Sequence, residues 1–266
     1  METFIVDSFT NLAFKGNPAG VCLVDSPLSE ELMQSIAIEL NLSETAFVQK
    51  PADETQYSIR YFSPKMEIPL CGHATLASAK VLFEKTNLPE IHFKTIQGLD
   101  LRIRQREGDI EMQFPVYDTQ PAEVPDALLA ALGLDAVINV AYNTETRILL
   151  LEISDSKKLA ALIPDFQALT QSHQSIHGVL VTAKGHDQYD FHSRYFWPWS
   201  GSNEDPVTGG THTFLAPYWA SRLQRKCMKS FQSSARTGFM EVELLDDQKM
   251  LIRGSAVITF EGKFRT

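Results

Sequence analysis

Cysteine is scarce in this chain of 266 residues: Cys22, Cys71 and Cys227 are the only three, far apart and forming no C-x-x-C pair. An odd, scattered set argues against a disulfide framework and a paired zinc cluster, and fits a reduced compartment. Basic charge is in deficit too, with 24 Lys and Arg against 33 Asp and Glu and a net charge of −9. A nucleic acid or an anionic membrane needs a basic face, so neither is an expected partner. No hydrophobic run nears the ~18 uncharged residues of a membrane helix. The longest candidates, 148–151 and 127–141, are short or broken by Asp135. The opening Met1-Glu2-Thr3-Phe4-Ile5-Val6-Asp7 lacks the basic and then apolar segments of a signal peptide and reads as a strand. The expected setting is the cytoplasm.

What is present is a globular composition, 44% hydrophobic and 21% charged, at a length suited to about two domains. The chain also repeats itself. Arg60-Tyr61-Phe62-Ser63-Pro64 recurs as Arg194-Tyr195-Phe196-Trp197-Pro198, an offset of 134 (60 to 194). Cys71-Gly72-His73-Ala74-Thr75 then lines up with Gly209-Gly210-Thr211-His212-Thr213 at an offset of 138 (75 to 213), the polar stretch 200–203 absorbing the insertion. Phe93 and Phe231 keep the second offset, and Glu67 falls opposite Asp205. Two copies at so long a period predict two similar domains rather than a solenoid.

Periodicity fills in each copy. Residues 4–7, 19–24, 46–49 and 57–62 read as strands, and Ser29 caps a helix reaching about Leu40 with Glu30 and Glu31 in its first turn. The segment after Gly72 is apolar on nearly all sides, which predicts a helix buried at the centre of a wrapped sheet. Residues 99–106 and 110–114 form a hairpin around Glu107-Gly108-Asp109, and 115–125 is the linker candidate. Alternating runs at 239–245 and 250–260 close the second copy, whose central helix carries Pro217 and should kink there. The expected lobes are 1–118 and 119–266, the last residues packing back on the first lobe.

Both repeat motifs put small residues at a strand-to-helix junction. A helix start exposes unpaired N–H groups and partial positive charge, and Gly72, Gly209 and Gly210 let a ligand reach the main chain. Two such junctions facing one another across a cleft would grip a small anion; alone, the glycines could simply permit tight turns. Glu44, entering the apolar strand 46–49, suits a general acid/base. On the residue alone, a solvated strand-end carboxylate is the simpler reading. Its counterpart in the second copy is about Ile176 or His177, so the acid appears once. His73, at a helix start whose dipole opposes imidazolium, is expected neutral. Asp205 reads as a turn residue that, with Glu67, could orient His73 or a substrate amine. Cys71 and His73 could suggest a metal site, but no second ligand pair has suitable spacing and none is expected. Cys71 has Gly209 opposite it, so a two-thiol site cannot be built and it reads as a small packed residue.

Gly16-Asn17-Pro18-Ala19, Ser43-Glu44-Thr45-Ala46-Phe47, Cys71-Gly72-His73-Ala74-Thr75 and Glu204-Asp205-Pro206-Val207-Thr208-Gly209 together resemble the PhzF-like, phenazine-biosynthesis isomerase family, including members named for similarity to the MAWD-binding protein. The resemblance spans essentially the whole chain. It implies a diaminopimelate-epimerase-like α+β fold of two pseudo-symmetric lobes, each a rolled, mostly antiparallel sheet around a central helix. It also implies an active site between the lobes, homodimers, no cofactor and no metal. The implied reaction moves a proton within a small carboxylate substrate, with Glu44 as acid/base and His73 and Asp205 in support. Asn17, Cys71, Gly72, Ala74, Gly209, Gly210 and Thr211 are the implied substrate-binding positions. The family usually has Ser after the Gly of D-P-V-T-G. This chain has Gly210 and then Thr211, so that hydroxyl is either missing or supplied by Thr211. The alternatives are a racemase or epimerase using Cys71, and a non-catalytic protein that binds a metabolite or another protein.

Overall fold

A computed structural model describes residues 1–49, 56–186, 188–200 and 202–265, except the side chain of residue 200. The chain divides into two compact units: Met1–Phe114 joined by the stretch from Leu251 onward, and Pro115–Met250. Both are mixed α+β.

In the first unit the strand Glu2–Ser8 pairs antiparallel with Asn17–Val24 on one side and with Ala256–Lys263 on the other. Asn17–Val24 pairs parallel with Glu44–Gln49, the helix Glu30–Leu40 making the crossover. Tyr57–Phe62 then runs antiparallel to Glu44–Gln49 and parallel to Glu90–Thr95, with the helix Gly72–Lys85 between them in sequence. A meander through Asp100–Arg106 and Asp109–Pro115 completes it. Its tight turn holds Glu107 at φ 54° and Gly108 at φ 94°, the paired left-handed geometry that matches strand twist.

The first helix begins as its sequence directs. Ser29 accepts a hydrogen bond from the Leu32 N–H at 3.3 Å, and Asn41 closes the helix in the left-handed region. Met33, Ile36 and Ala37 pack on Cys22, Val24, Phe47 and Phe62. The other helix, Gly72–Lys85, is buried from His73 through Ala79 and again at Val81, Leu82 and Phe83, against strands that include Glu2–Ser8, Asn17–Val24 and Glu44–Gln49. Strands covered on both faces need apolar residues without alternation, which explains the unbroken runs in 19–24 and 46–48.

The second unit runs the same order of pairings. Asn139–Asn143 and Ile148–Ile153 are antiparallel, Ile148–Ile153 and Gly178–Lys184 parallel, and Gly178–Lys184 and Phe191–Trp197 antiparallel. Phe191–Trp197 pairs parallel with Cys227–Gln232, across the helix His212–Leu223, and Cys227–Gln232 pairs antiparallel with Gly238–Leu244. Three short helices, Asp126–Leu132, Ser156–Ala160 and Phe166–Ser172, pack Leu128, Leu132, Leu159 and Leu169 against Leu149, Leu151, Val179 and Val181. Five to seven residues are too few to establish a helical period, and the sequence reading placed none of the three.

Pro217 lies inside His212–Leu223, and the carbonyl it deprives of a helical donor is that of Thr213. The backbone N–H of Tyr117 bonds that carbonyl at 2.9 Å, so a residue of the expected linker satisfies the helix's broken rung. The stretch 115–125 is thus tied down, and Gln120–Pro121 forms a short strand against Ala141 and Tyr142. The run 250–260 is two strands, Lys249–Gly254 and Ala256–Lys263, rather than one. Of the expected loop 200–203, Ser202 and Asn203 open the strand Ser202–Asp205, and Gly201 lies outside the described residues.

Strand register corrects the internal alignment. Phe62 faces Glu67 as Phe196 faces Glu204, and Tyr57 faces Phe93 as Phe191 faces Ser230. Both give an offset of 137 (67 to 204, 93 to 230), on either side of the central helix. Glu67 therefore corresponds to Glu204, Ile68 to Asp205, Gly72 to Gly209 and His73 to Gly210. The Phe93–Phe231 match was one residue out of register.

Candidate functional site

Glu44 is the first residue of its strand and only 8% exposed. Its Oε2 lies 3.1 Å from Nε2 of His73, itself 8% exposed on the first turn of the central helix. The solvated reading of Glu44 fails because the parallel pairing with Asn17–Val24 starts at Ala19 opposite Glu44 and sets the carboxylate beside the helix start. Nδ1 of His73 is 3.3 Å from both the Asn17 amide nitrogen and the Cys71 sulfur. Asn17 is placed by Gly16, at φ 66°, where an added Cβ would sit 2.1 Å from the Ser8 carbonyl oxygen. The Ser8 hydroxyl donates to the His73 carbonyl at 2.8 Å. Below the site, Tyr61 donates to Thr75 at 2.6 Å and Thr75 to the Cys71 carbonyl at 2.7 Å, fixing the turn that enters the helix. Glu44, His73, Cys71 and Asn17 are thus one buried cluster, with Gly72 and the fully buried Ala74 in the same helix turn.

Its electrostatics reverse one expectation. Burial opposes the His73 imidazolium, but the Cys71 sulfur and the Glu44 carboxylate outweigh burial and hold His73 well above the usual histidine range. The helix start had predicted a neutral ring; a buried carboxylate at 3.1 Å is closer and carries a full charge. Burial pushes the Cys71 thiol up, His73 opposing and Glu44 reinforcing the shift. With its nitrogen toward Nδ1, the Asn17 amide donates to the neutral ring; turned over, it accepts from the charged one.

The second unit carries a different set. Asp205 ends its strand half-buried, its carboxylate bonded by the Thr208 hydroxyl and its carbonyl by the Gln232 side chain at 2.7 Å. Gln232 also accepts from the Thr208 N–H at 2.9 Å. The sequence reading missed Gln232, whose signal is an amide on the inward face of an alternating strand. Thr211 is buried and its hydroxyl donates to the Thr208 carbonyl at 3.0 Å, so the hydroxyl expected there is engaged within the turn. Gly209 is buried, while Gly210 is exposed with open space around it. His212, not singled out by sequence, is buried: Nδ1 lies 3.0 Å from the Thr208 carbonyl and Nε2 2.9 Å from the Ser230 hydroxyl. Burial pulls it down to about 4, so it is neutral.

The idea of acids paired at both junctions does not hold. Glu67 is bound by Arg60 through two bonds of 2.7 Å, and its true counterpart Glu204 is bound by Arg194 in the same two-pronged way. Both Glu residues serve the sheet, and Asp205 stands opposite Ile68. For metals, the group among the described residues is Glu44, Cys71 and His73, one ligand atom from each lying within 4.8 Å of the others. Spacing could not reveal it, since the third ligand comes from a strand 27 positions upstream (44 to 71).

The family model for phenazine biosynthesis-like proteins matches residues 6–262. The chain belongs to this family. Phenazine biosynthesis-like domain-containing protein 1 of Mus musculus is 44% identical, covering 98% of each chain. An uncharacterized isomerase of Pseudomonas aeruginosa is also 44% identical, again over 98% of each. Among solved structures, a PhzF-family protein of Enterococcus faecalis superposes with a TM-score of 0.93 at 38% identity, over 100% of this chain and 99% of that one. The fold reaches further: a hydroxyproline epimerase of Agrobacterium vitis shares it at a TM-score of 0.60 and 11% identity, covering 98% and 91%. No helix among the described residues is long and apolar enough to cross a membrane.

Proposed function

We propose that this protein is a cofactor-independent isomerase that moves a proton within a small carboxylate-bearing substrate, Glu44 acting as acid/base. The observation that carries this reading is the buried Glu44–His73 contact of 3.1 Å at a helix start. A carboxyl group held at hydrogen-bond distance from an imidazole is placed to exchange a proton with a substrate when the ring shifts its hydrogen bond. The N–H groups of the helix's first turn, at Gly72, His73 and Ala74, suit the substrate carboxylate. In the second unit, Gly209 and Gly210 leave the start of the other central helix equally bare, with Asp205 and Thr208 shaping the turn before it. The isomerase names of two relatives, at 44% and 40% identity, agree with this reaction class.

A thermal-shift screen of small amino and hydroxy carboxylic acids supplies the ligand, since saturation raises unfolding free energy by RT ln(1 + [L]/Kd). Glu44→Gln should then lower turnover by roughly a hundredfold to ten-thousandfold and leave ligand binding in place. Full activity in that variant removes Glu44 from the mechanism. A second reading, an epimerase using the Cys71 thiol, is favoured by its 3.3 Å approach to His73 Nδ1. It requires solvent deuterium to exchange at a substrate α-carbon and the exchange to disappear in Cys71→Ser.

A further inference from the structure

We propose that a cleft on the outer face of the second unit's sheet binds a hydroxyl-bearing phosphate monoester, with Lys157, His186 and Ser233 holding the phosphate. The cleft has a volume of about 620 Å³, within the range of small-molecule sites, and Lys157, His186, His192, Phe231 and Ser233 are among its lining residues. Strand alternation sets it apart from the central helix. Phe191 faces inward and stacks on Trp219 of His212–Leu223 at 5.7 Å, so the next residue, His192, faces outward. Ser230 and Gln232 face inward likewise, bonding His212 and Thr208. Phe231 between them faces outward, with the Tyr189 ring stacked on it at 4.8 Å. The cleft thus lies across the sheet from the helix start that carries Gly209 and Gly210.

The donors and acceptors on its walls decide the ligand. Among the described residues, none of those lining the cleft is acidic, although the chain carries a net charge of −9. The Lys157 ammonium has no partner among the described residues, whereas its neighbour Lys158 is paired with Asp135 at 3.1 Å. Asp155, two positions before it, is turned onto the Lys157 backbone N–H at 2.7 Å. The His186 imidazole carries an N–H donor in either charge state. Ser233 is buried, and its hydroxyl lies 3.3 Å from Nδ1 of His192. A proton on Nδ1 donated to Ser233 leaves the Ser233 O–H to donate into the cleft. Three donors from a helix, a loop and a strand end match the three terminal oxygens of a phosphate monoester, where a planar carboxylate offers two. Ser234 and Thr237, which also line the cleft, supply the opposite chemistry. Their hydroxyls donate to the carbonyls of Pro206 at 2.5 Å and Arg236 at 2.6 Å, so toward the cleft they only accept, which suits ligand hydroxyls. The Phe231 ring gives the ligand's carbon skeleton an apolar wall. This binding does not rest on the isomerase reading.

The test is isothermal titration calorimetry of the full-length protein with ribose 5-phosphate, in buffer free of phosphate and sulfate at fixed ionic strength. Wild type should bind one equivalent with a Kd below about 1 mM. Ribose and inorganic phosphate each present half of the recognised chemistry and should bind about tenfold more weakly or worse. Lys157→Glu, an exposed change that spares the fold, should weaken ribose 5-phosphate by roughly tenfold or more. Lys158→Glu, one position along the same helix, should leave Kd within about twofold. Ser233→Ala should weaken binding by about two- to tenfold. No saturable heat with ribose 5-phosphate or with glycerol 3-phosphate overturns the proposal. So does equal weakening in Lys157→Glu and Lys158→Glu, the mark of general surface charge, and so does inorganic phosphate binding as tightly as ribose 5-phosphate. Such a failure leaves Glu44 catalysis standing, because the calorimeter reads binding and not turnover.

Discussion

Glu44 and Gly178 occupy the same position in strands built alike, yet one unit has a buried acid there and the other has no side chain. Register fixes the equivalence: Thr45 faces Phe62 as Val179 faces Phe196. The difference is enforced by packing. A Cβ on Gly178 would come within 2.6 Å of the Tyr195 ring and 2.8 Å of the Phe196 carbonyl oxygen. In the first unit the matching Tyr61 turns to Thr75 instead, and Glu44 takes its place beside His73. The duplicated framework thus accepts an acid in one copy and forbids it in the other, which is what a proton shuttle with a single acid/base requires.

The largest expected effect attacks that exclusion. Gly178→Ala should destabilise the protein by about 3 kcal/mol, the upper range for overpacking, because a backbone oxygen cannot yield as a flexible side chain would. Urea unfolding measures it; a loss under about 1 kcal/mol would mean that Gly178 marks no steric boundary between the copies.

Histidine sharpens the contrast. His212 stays neutral in the folded protein down to about 4, while an unfolded chain binds that proton below about 6.5. Folding stability should therefore fall as the pH drops, by about 2 kcal/mol between pH 6.5 and 5. His73 works in the opposite direction. Its raised value makes its contribution complete below about 6.5, and the contribution declines as the pH climbs toward the folded-state value. His212→Asn should flatten the acid limb of the stability profile relative to wild type, and Glu44→Gln the alkaline limb. Matching limbs in wild type and both variants would refute the opposed assignments.

Tyr61→Phe should cost about 1 kcal/mol, the worth of the hydrogen bond that anchors Thr75 and the Cys71 carbonyl. Chemical denaturation reads it, and an unchanged midpoint would detach the tyrosine from the helix start.

How much of this was legible in sequence depends on whether local chemistry or pairing carried the information. Ser29 capping, the Glu107–Gly108 turn, the buried helix after Gly72 and the duplication itself all stand on near neighbours. The Glu44 pair does not. Its two members are 29 positions apart (44 to 73), and nothing near Glu44 announces a histidine. Motif matching alone slipped the second alignment by one residue, setting Thr211 rather than Gly210 opposite His73, because glycine and threonine recur on both sides of the true register. Only strand pairing, which counts every residue, resolves such a slip. The same counting transferred the acid opposite Glu67 from Asp205 to Glu204, whose bonds to Arg194 remove it from the chemistry.

The smallest expected effect concerns Gly210, the position matched to His73. A Cβ there meets nothing within 4 Å, and the residue is exposed. Gly210→Ser, which restores the residue the family resemblance leads one to expect, should change stability by no more than about 0.5 kcal/mol. A loss above about 1 kcal/mol, read by urea unfolding, would mean the turn itself demands glycine. Near-neutrality has a functional meaning: packing leaves this position free to carry a hydroxyl, so its absence falls on whatever the exposed helix start binds. Comparing wild type and Gly210→Ser in the carboxylic-acid screen then separates the two copies again, since the ligand profile should change while Glu44 and His73 keep their contact.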